Sequence, residues 1–306
     1  MSDKKIQIGG QAVIEGVMMR GPEYIATAIR RKDGSIDIQK KPFVSITKTH
    51  PIYKRPIIRG FVSLIEMLKI GINTLNYSAD AYEKDHLEET SEHDTSKKTN
   101  KIGEYLTLIF AFALALLLFG LVPYLLTSLM KIEESNILFN LFAGLIRIVF
   151  FVIYVYCISL WKDIKRVFEY HGAEHKAVFA YEQKAPLTVD SVRNFTTIHP
   201  RCGTSFMFFV LLVSILVFSV IDMIVATYWF RPGALIRFLY HLPFIPIISG
   251  ISYEFLKLSE KKANNIFVKI FTYPGMSLQK ITTQPPDDSQ IEIAIVALKE
   301  ALNISE

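Results

Sequence analysis

The sequence predicts a polytopic α-helical membrane protein: four transmembrane helices plus a small cytoplasmic α+β domain built from both termini. Two observations lead there. Of 306 residues, 51% are hydrophobic, with a mean hydropathy of +0.30, yet 21% are charged, so the two populations must be segregated along the chain. The apolar excess is concentrated in four stretches, 105–130, 137–161, 206–230 and 235–255, each long enough for a helix to cross about 30 Å of hydrocarbon. A soluble helix carries a polar face, and these do not. General disorder is excluded by the hydrophobicity. A disulfide scaffold is excluded because Cys157 and Cys202 are the only cysteines. The net charge of +5 is accounted for by the positive-inside bias of membrane proteins, so no nucleic-acid partner is expected.

The elements follow in order. Residues 1–55 read as a cytoplasmic β-rich segment. In it 24–31 and 35–39 are strands turned by Asp33-Gly34, and the glycines of GGQAVIEGVMMRGP serve as turns. Residues 56–83 form an amphipathic, interfacial helix with Phe61, Leu64, Ile65, Leu68, Ile72 and Leu75 on one face. The charged stretch 84–101 is a flexible linker. Residues 102–161 hold the first two transmembrane helices, 162–205 a cytoplasmic loop, and 206–256 the last two helices. The remainder, 257–306, supplies a strand at 278–283 and a terminal helix capped by Asp288 or Ser289.

Lysine and arginine are dense before residue 105, in 162–205 and after 256, and sparse in the two short connections. Positive-inside logic therefore places both termini and the central loop in the cytoplasm, in a multi-pass protein of the bacterial inner membrane. The opening residues MSDKKIQIGGQAVIEG lack the apolar core of a secretory signal. Two charges, Arg147 and Asp222, lie within the second and third helices, both roughly 12 to 15 Å from the outer surface at 1.5 Å per residue. They are expected to form an intramembrane ion pair.

The chemistry-bearing residues sit in the central loop. In YHGAEHK, His171 and His175 are one helical turn apart and Glu174 lies beside them. That is the H-x-x-E-H spacing of inverted zinc hydrolases. His199 and Cys202 follow, immediately before the third helix, and Glu254 near the inner end of the fourth reaches the same depth. Imidazole, thiolate and carboxylate at one membrane face suit a divalent metal, zinc above others. His171, His175, His199, Cys202 and Glu254 are the expected ligands, with Glu174 the catalytic base.

Several stretches together resemble the YqhQ-like family of bacterial membrane proteins. They are GGQAVIEGVMMRGP, RGFVSLIEMLKIG, YHGAEHKAVFAYE, HPRCGTSF, PIISGISYEFLK and PGMSLQKITTQPPDDSQIEIAIVAL. The resemblance covers nearly the whole chain. It implies a domain of unknown function, described as a predicted metal-dependent enzyme, and no substrate. The sequence thus supports a metal-dependent enzyme, a hydrolase by its motif, working at the cytoplasmic face of the bilayer on a lipid or membrane-protein substrate. The rival is a non-enzymatic transporter, pore or assembly scaffold with a structural metal or none. With four transmembrane helices, a transporter would have to be a homo-oligomer.

Overall fold

The computed structural model of the protein describes residues 8–87, 101–132, 136–262 and 265–304. It begins with a four-stranded antiparallel meander, β1 (Gly9–Val13), β2 (Gly16–Arg20), β3 (Tyr24–Arg30) and β4 (Ile36–Pro42), in sequential order. The stretch read from sequence as glycine turns is thus its first hairpin. Val13 pairs with Gly16 across a two-residue turn in which Glu15 takes φ 53°. The second expected hairpin stands, closed by a loop in which Arg31 N–H donates to Ser35 O (2.9 Å) and Gly34 takes φ 85°. A positive φ of that size suits glycine, which has no Cβ to clash.

The helices are α1 (Ile58–Leu87), α2 (Lys101–Leu116), α3 (Val122–Leu129), α4 (Asn136–Ser159), α5 (Lys162–Glu182), the short α6 (Val189–Val192), α7 (Gly203–Tyr228), α8 (Ala234–His241), α9 (Ile245–Lys261), α10 (Ile266–Thr282) and α11 (Asp288–Leu302). Among the described residues, four helical runs are long and apolar enough to cross a membrane: Leu106–Leu129, Asn136–Ser159, Gly203–Tyr228 and Ala234–Lys261. The first passes through a π turn at Leu117–Leu121. The fourth joins α8 to α9 through Leu242–Phe244, where Pro243 and Pro246 are absorbed.

The soluble layer is built from both ends of the chain and from α5. Val17, Met19, Ala26 and Ala28 on one sheet face pack with Tyr170, Ala173 and Ala177 of α5 and Ile291, Ala294 and Leu298 of α11. Met18, Thr27 and Ile29 on the other face are buried as well. The segment 162–205, read as a loop, is therefore largely helix and carries core residues.

The expected strand at 278–283 is instead the last turn of α10, continued to Thr283. Leu278, Gln279 and Thr282 are buried at helical spacing. In LQKITT the two apolar residues, Leu278 and Ile281, stand three apart, a helical and not an alternating spacing, and Asn265 starts the helix by accepting from Phe267 N–H at 2.9 Å. In α1, the side turned inward carries Glu66, Thr74, Ser78 and Ala81, while Ile65, Leu68 and Leu75 are exposed. The same holds for α10, where Ile266, Phe267, Ile270, Phe271 and Tyr273 are uncovered. The interior of the expected linker, 88–100, lies outside the described residues.

Arg147 and Asp222 do not pair. Asp222 instead meets Arg237 (Nη1 to Oδ2, 2.6 Å), His241 (Nε2 to Oδ1, 2.8 Å), Asn140 (Nδ2 to Oδ2, 2.6 Å) and the Tyr240 hydroxyl. The reason is depth: the α4 residue level with Asp222 is Asn140, seven positions before Arg147, or about 10 Å along the helix axis. Arg147 donates to Phe119 O (2.6 Å), within the π turn, and to Ser214 Oγ (3.3 Å), and lies over the Tyr124 ring. A π turn displaces the regular carbonyl ladder, and Arg147 takes up one of those carbonyls. Asp222→Asn should therefore strand the buried Arg237 and cost about 3–5 kcal/mol, against about 1–3 kcal/mol for Arg147→Met. Thermal unfolding in detergent reads both. Rescue by exchanging the charges of Arg147 and Asp222 would refute this assignment.

Candidate metal centre

The site is held by α5, the first turn of α7 and the end of α10. Residues 162–182 contain no proline and a single glycine, and Tyr170, Ala173, Ala177 and Ala180 form the stripe that seats α5 on the sheet. That packing fixes the opposite face, which carries His171 and His175 with ring centroids 4.5 Å apart. The one glycine is required. A Cβ on Gly172 would strike the Gln284 carbonyl, because the chain leaving α10 runs against α5, with Gln284 N–H donating to Phe168 O at 3.0 Å.

This close passage brings Thr282 O to 2.8 Å from His171 Nδ1. On the other side the Thr197 carbonyl accepts from His175 Nδ1. The strap carrying Thr197 is anchored by Lys176, whose Nζ donates to Arg193 O (2.7 Å) and Phe195 O. With both Nδ1 atoms donating to main-chain carbonyls, both Nε2 lone pairs are left free to ligate, as in histidine metal sites. Cys202 meets them: its Sγ is 3.4 Å from His171 Nε2 and caps α7 by accepting from Thr204 N–H at 3.5 Å. The ligand atoms of His171, His175 and Cys202 all lie within 4.8 Å of one another. Tetrahedral zinc with bonds of about 2.0–2.3 Å needs somewhat closer spacing, which side-chain rotation can supply.

Glu174 is buried beside the cluster, its Oε2 3.5 Å from His175 Nε2. Its carboxyl faces the Gly10 main-chain N–H of β1, and a Cβ on Gly10 would lie 2.7 Å from Glu174 Cγ. Burial pushes the Glu174 carboxyl above the ordinary carboxylate range, while His171 and His199 pull it down without cancelling the shift. Burial likewise holds His171, His175 and His199 below the usual imidazole value. Neutral imidazole is the ligating form.

The other expected residues stand apart. His199 is buried one ring away, 5.6 Å from His175 between centroids, and packs on Phe179. Its Nδ1 accepts from Arg201 N–H (3.2 Å) inside its own turn, and its Nε2, otherwise unbonded, faces Glu182 Oε2 at 3.5 Å. Glu254 is ion-paired with Arg59 of α1, Nε to Oε1 being 2.7 Å. Sequence reasoning also missed Gln279. Its side chain grips both His199 N–H (2.7 Å) and His199 O (2.8 Å), and donates to Ser205 Oγ (3.1 Å). A glutamine in the mixed stretch SLQKITTQ carries no readable signal of that role, and neither do the carbonyls of Thr197 and Thr282.

Fold and cluster define a helical protein with four membrane-length apolar runs and a His/Cys triad at one end of the bundle. The chain belongs to the family described as "Protein of unknown function (DUF1385)", whose model matches residues 55–304. It is 36% identical to "Uncharacterized protein YqhQ" of Bacillus subtilis (strain 168) over 301 residues, 97% of this chain and 92% of that relative. No solved structure matches it. The family model starts after the sheet, whereas the similarity to the relative extends across it.

Gly172→Ala should separate the 282–284 passage from α5. The expected cost is about 1–3 kcal/mol of overpacking, together with release of His171 Nδ1. Thermal unfolding measures the first, and the His171 imidazole NMR signals measure the second. An unaltered melting temperature would show that the passage is not tight.

Proposed function

We propose that this protein is a multi-pass protein of the bacterial inner membrane and a metal-dependent hydrolase, with zinc at a site on the cytoplasmic end of its helical bundle. One observation carries the reading: His171 and His175 of one helical turn and Cys202, 27 residues further on, bring two nitrogens and a sulfur within 4.8 Å of one another. Three protein ligands leave the fourth tetrahedral position open, the mark of a catalytic site, whereas structural zinc sites are closed by four. His199 does not close it, because its Nε2 turns to Glu182.

A bound divalent ion would contribute Lewis acidity, which brings water ionisation towards neutral pH. The chain's residues do the rest. Thr282 O and Thr197 O hold the two imidazoles in the tautomer that ligates. Glu174, buried and poised next to the triad, accepts the water's proton and delivers it to the leaving group.

Membrane insertion is supported by the four apolar runs, whose side chains are largely uncovered within the protein. The uncovered apolar faces of α1 and α10 suit the bilayer surface. The cytoplasmic orientation rests on the lysine and arginine density of the segments around the site. The transporter or pore reading loses its chief motive, since Asp222 is matched by Arg237 and hydrogen-bonded on both oxygens.

Elemental analysis of the detergent-purified protein should find about one divalent ion per chain. His171→Ala, His175→Ala and Cys202→Ala should each lose it. Glu174→Gln and Glu254→Gln should keep it. A protein that takes up no divalent ion when supplied with zinc, or one whose metal survives loss of both histidines, would overturn this function.

A further inference from the structure

One member of the triad, His171, lines a cleft of about 570 Å³. One wall is formed by Gly9, Gly10, Gln11 and Ala12, four consecutive residues of β1. A strand that presented a face would contribute every second residue; consecutive residues mean that it presents its edge. β1 is the edge strand of the sheet. Because Val13 and Gly16 close the hairpin, the alternation of antiparallel pairing directs the N–H and C=O of Gly10 and Ala12 away from β2. The Gly10 N–H on that side meets the Glu174 carboxyl, and among the described residues no main-chain group pairs with Gly10 O or with the N–H and C=O of Ala12.

The opposite wall is one face of α1, Gly60, Ser63, Leu64 and Met67, at spacings of three and four. The cleft closes at the hairpin end, where Ile14 N–H reaches Ser78 Oγ (3.2 Å) and Gln11 Nε2 reaches Gly71 O (3.4 Å). His171 lines it as well, and so do Phe206, Tyr253 and Leu256, towards the ends of the apolar runs of α7 and α9. Two cations border it, and each already has an acidic neighbour. Arg20 lies 3.9 Å from Glu66, and Arg201 pairs with Glu182 and, at 3.4 Å, with Glu260. A cleft built for a phosphate or a lipid headgroup would leave its cations free. Gly9, moreover, has nothing within 4 Å of where a Cβ would stand, so packing does not demand glycine there. A bare backbone at Gly9 keeps the cleft clear.

We infer that the substrate is an extended polypeptide segment with apolar side chains, which enters from the bilayer end and pairs with the edge of β1. Main-chain hydrogen bonds to an exposed strand edge are a general mode of peptide capture. They would carry a peptide carbonyl past His171 and Glu174. The hydrolysis itself rests on the metal-dependent reading above; the capture does not. In that step one water is consumed. Its oxygen bonds to the carbonyl carbon, and the C–N bond breaks with its electron pair leaving on nitrogen. Glu174 carries the proton to that nitrogen, and nothing is oxidised or reduced.

The test is fluorescence anisotropy with the full chain in detergent, in the Glu174→Gln background so that no turnover occurs. The probe is a fluorescein-labelled octapeptide alternating leucine and threonine. Its twin carries N-methyl groups on every second amide and cannot pair along an edge. The parent peptide should bind and the twin should bind about tenfold more weakly, the loss of one or two main-chain hydrogen bonds. Gly9→Leu should weaken the parent about tenfold at an unchanged melting temperature and metal content. Equal binding of the twin, or indifference to Gly9→Leu, overturns the inference. So does displacement of the peptide by phosphatidylglycerol vesicles without any effect of N-methylation, which assigns the cleft to a lipid. Discrimination between the peptides that persists in a metal-free His171→Ala, His175→Ala variant supports the edge-strand capture while removing the metal. Bound metal without discrimination does the reverse.

Discussion

The passage of residues 282–284 across α5 at Gly172 is the contact on which the site depends. It places a carbonyl on His171 and ends α10 where Gln279 can clip the turn carrying His199. It also launches α11, whose capping box at Asp287 and Gln290 starts the helix that completes the soluble core. A side chain at position 172 would disturb all three, because interiors transmit strain instead of absorbing it. One missing Cβ thus couples the His/Cys cluster to the packing of the sheet domain.

The polar groups of the bundle follow a different logic. Asp222 is almost completely enclosed, and so is Arg237. Burying either alone would cost several kcal/mol. Together with His241, Asn140 and Tyr240 they form a network in which both carboxylate oxygens are occupied. Arg147 is compensated by other means, a displaced carbonyl, a hydroxyl and an aromatic face. Both solutions fasten the apolar helices to one another where hydrophobicity gives them little preference for a particular partner.

Most of this architecture is legible in the sequence, for physical reasons. Long unbroken apolar runs are the strongest periodicity signal a chain can carry, and all four appear as helices. The alternation at 24–31 and 35–39 and the terminal helix also read through, although its cap is Asp287, one residue before the expected Asp288, because Asp287 is the side chain that accepts from Gln290 N–H. What failed were short signals. The 278–283 stretch is too short to set a period, and its two apolar residues, Leu278 and Ile281, are three apart as in a helix. In GGQAVIEGVMMR the glycines masked a hairpin, since glycine punctuates turns and also permits close packing. At the site, His171, His175 and Cys202 are brought together, and their residue types and spacing had marked them. His199 was grouped with them by its short spacing from Cys202 and by depth, and Glu254 by depth alone. Depth says nothing of direction, and the structure turns one to Glu182 and the other to Arg59. Main-chain carbonyl acceptors such as those of Thr197 and Thr282 leave no trace in side-chain identity at all.

The order of elements in the soluble layer has a consequence for biogenesis. The strands beside Glu174 are made first, and α11, which seals their inner face, is made last, nearly a full chain length later. At roughly 5–20 residues per second of synthesis, the four apolar helices emerge in between. The sheet must therefore wait, half-covered, until α11 is made. The His/Cys cluster, whose helix α5 packs on the same sheet, gains its final support only once that last helix has docked.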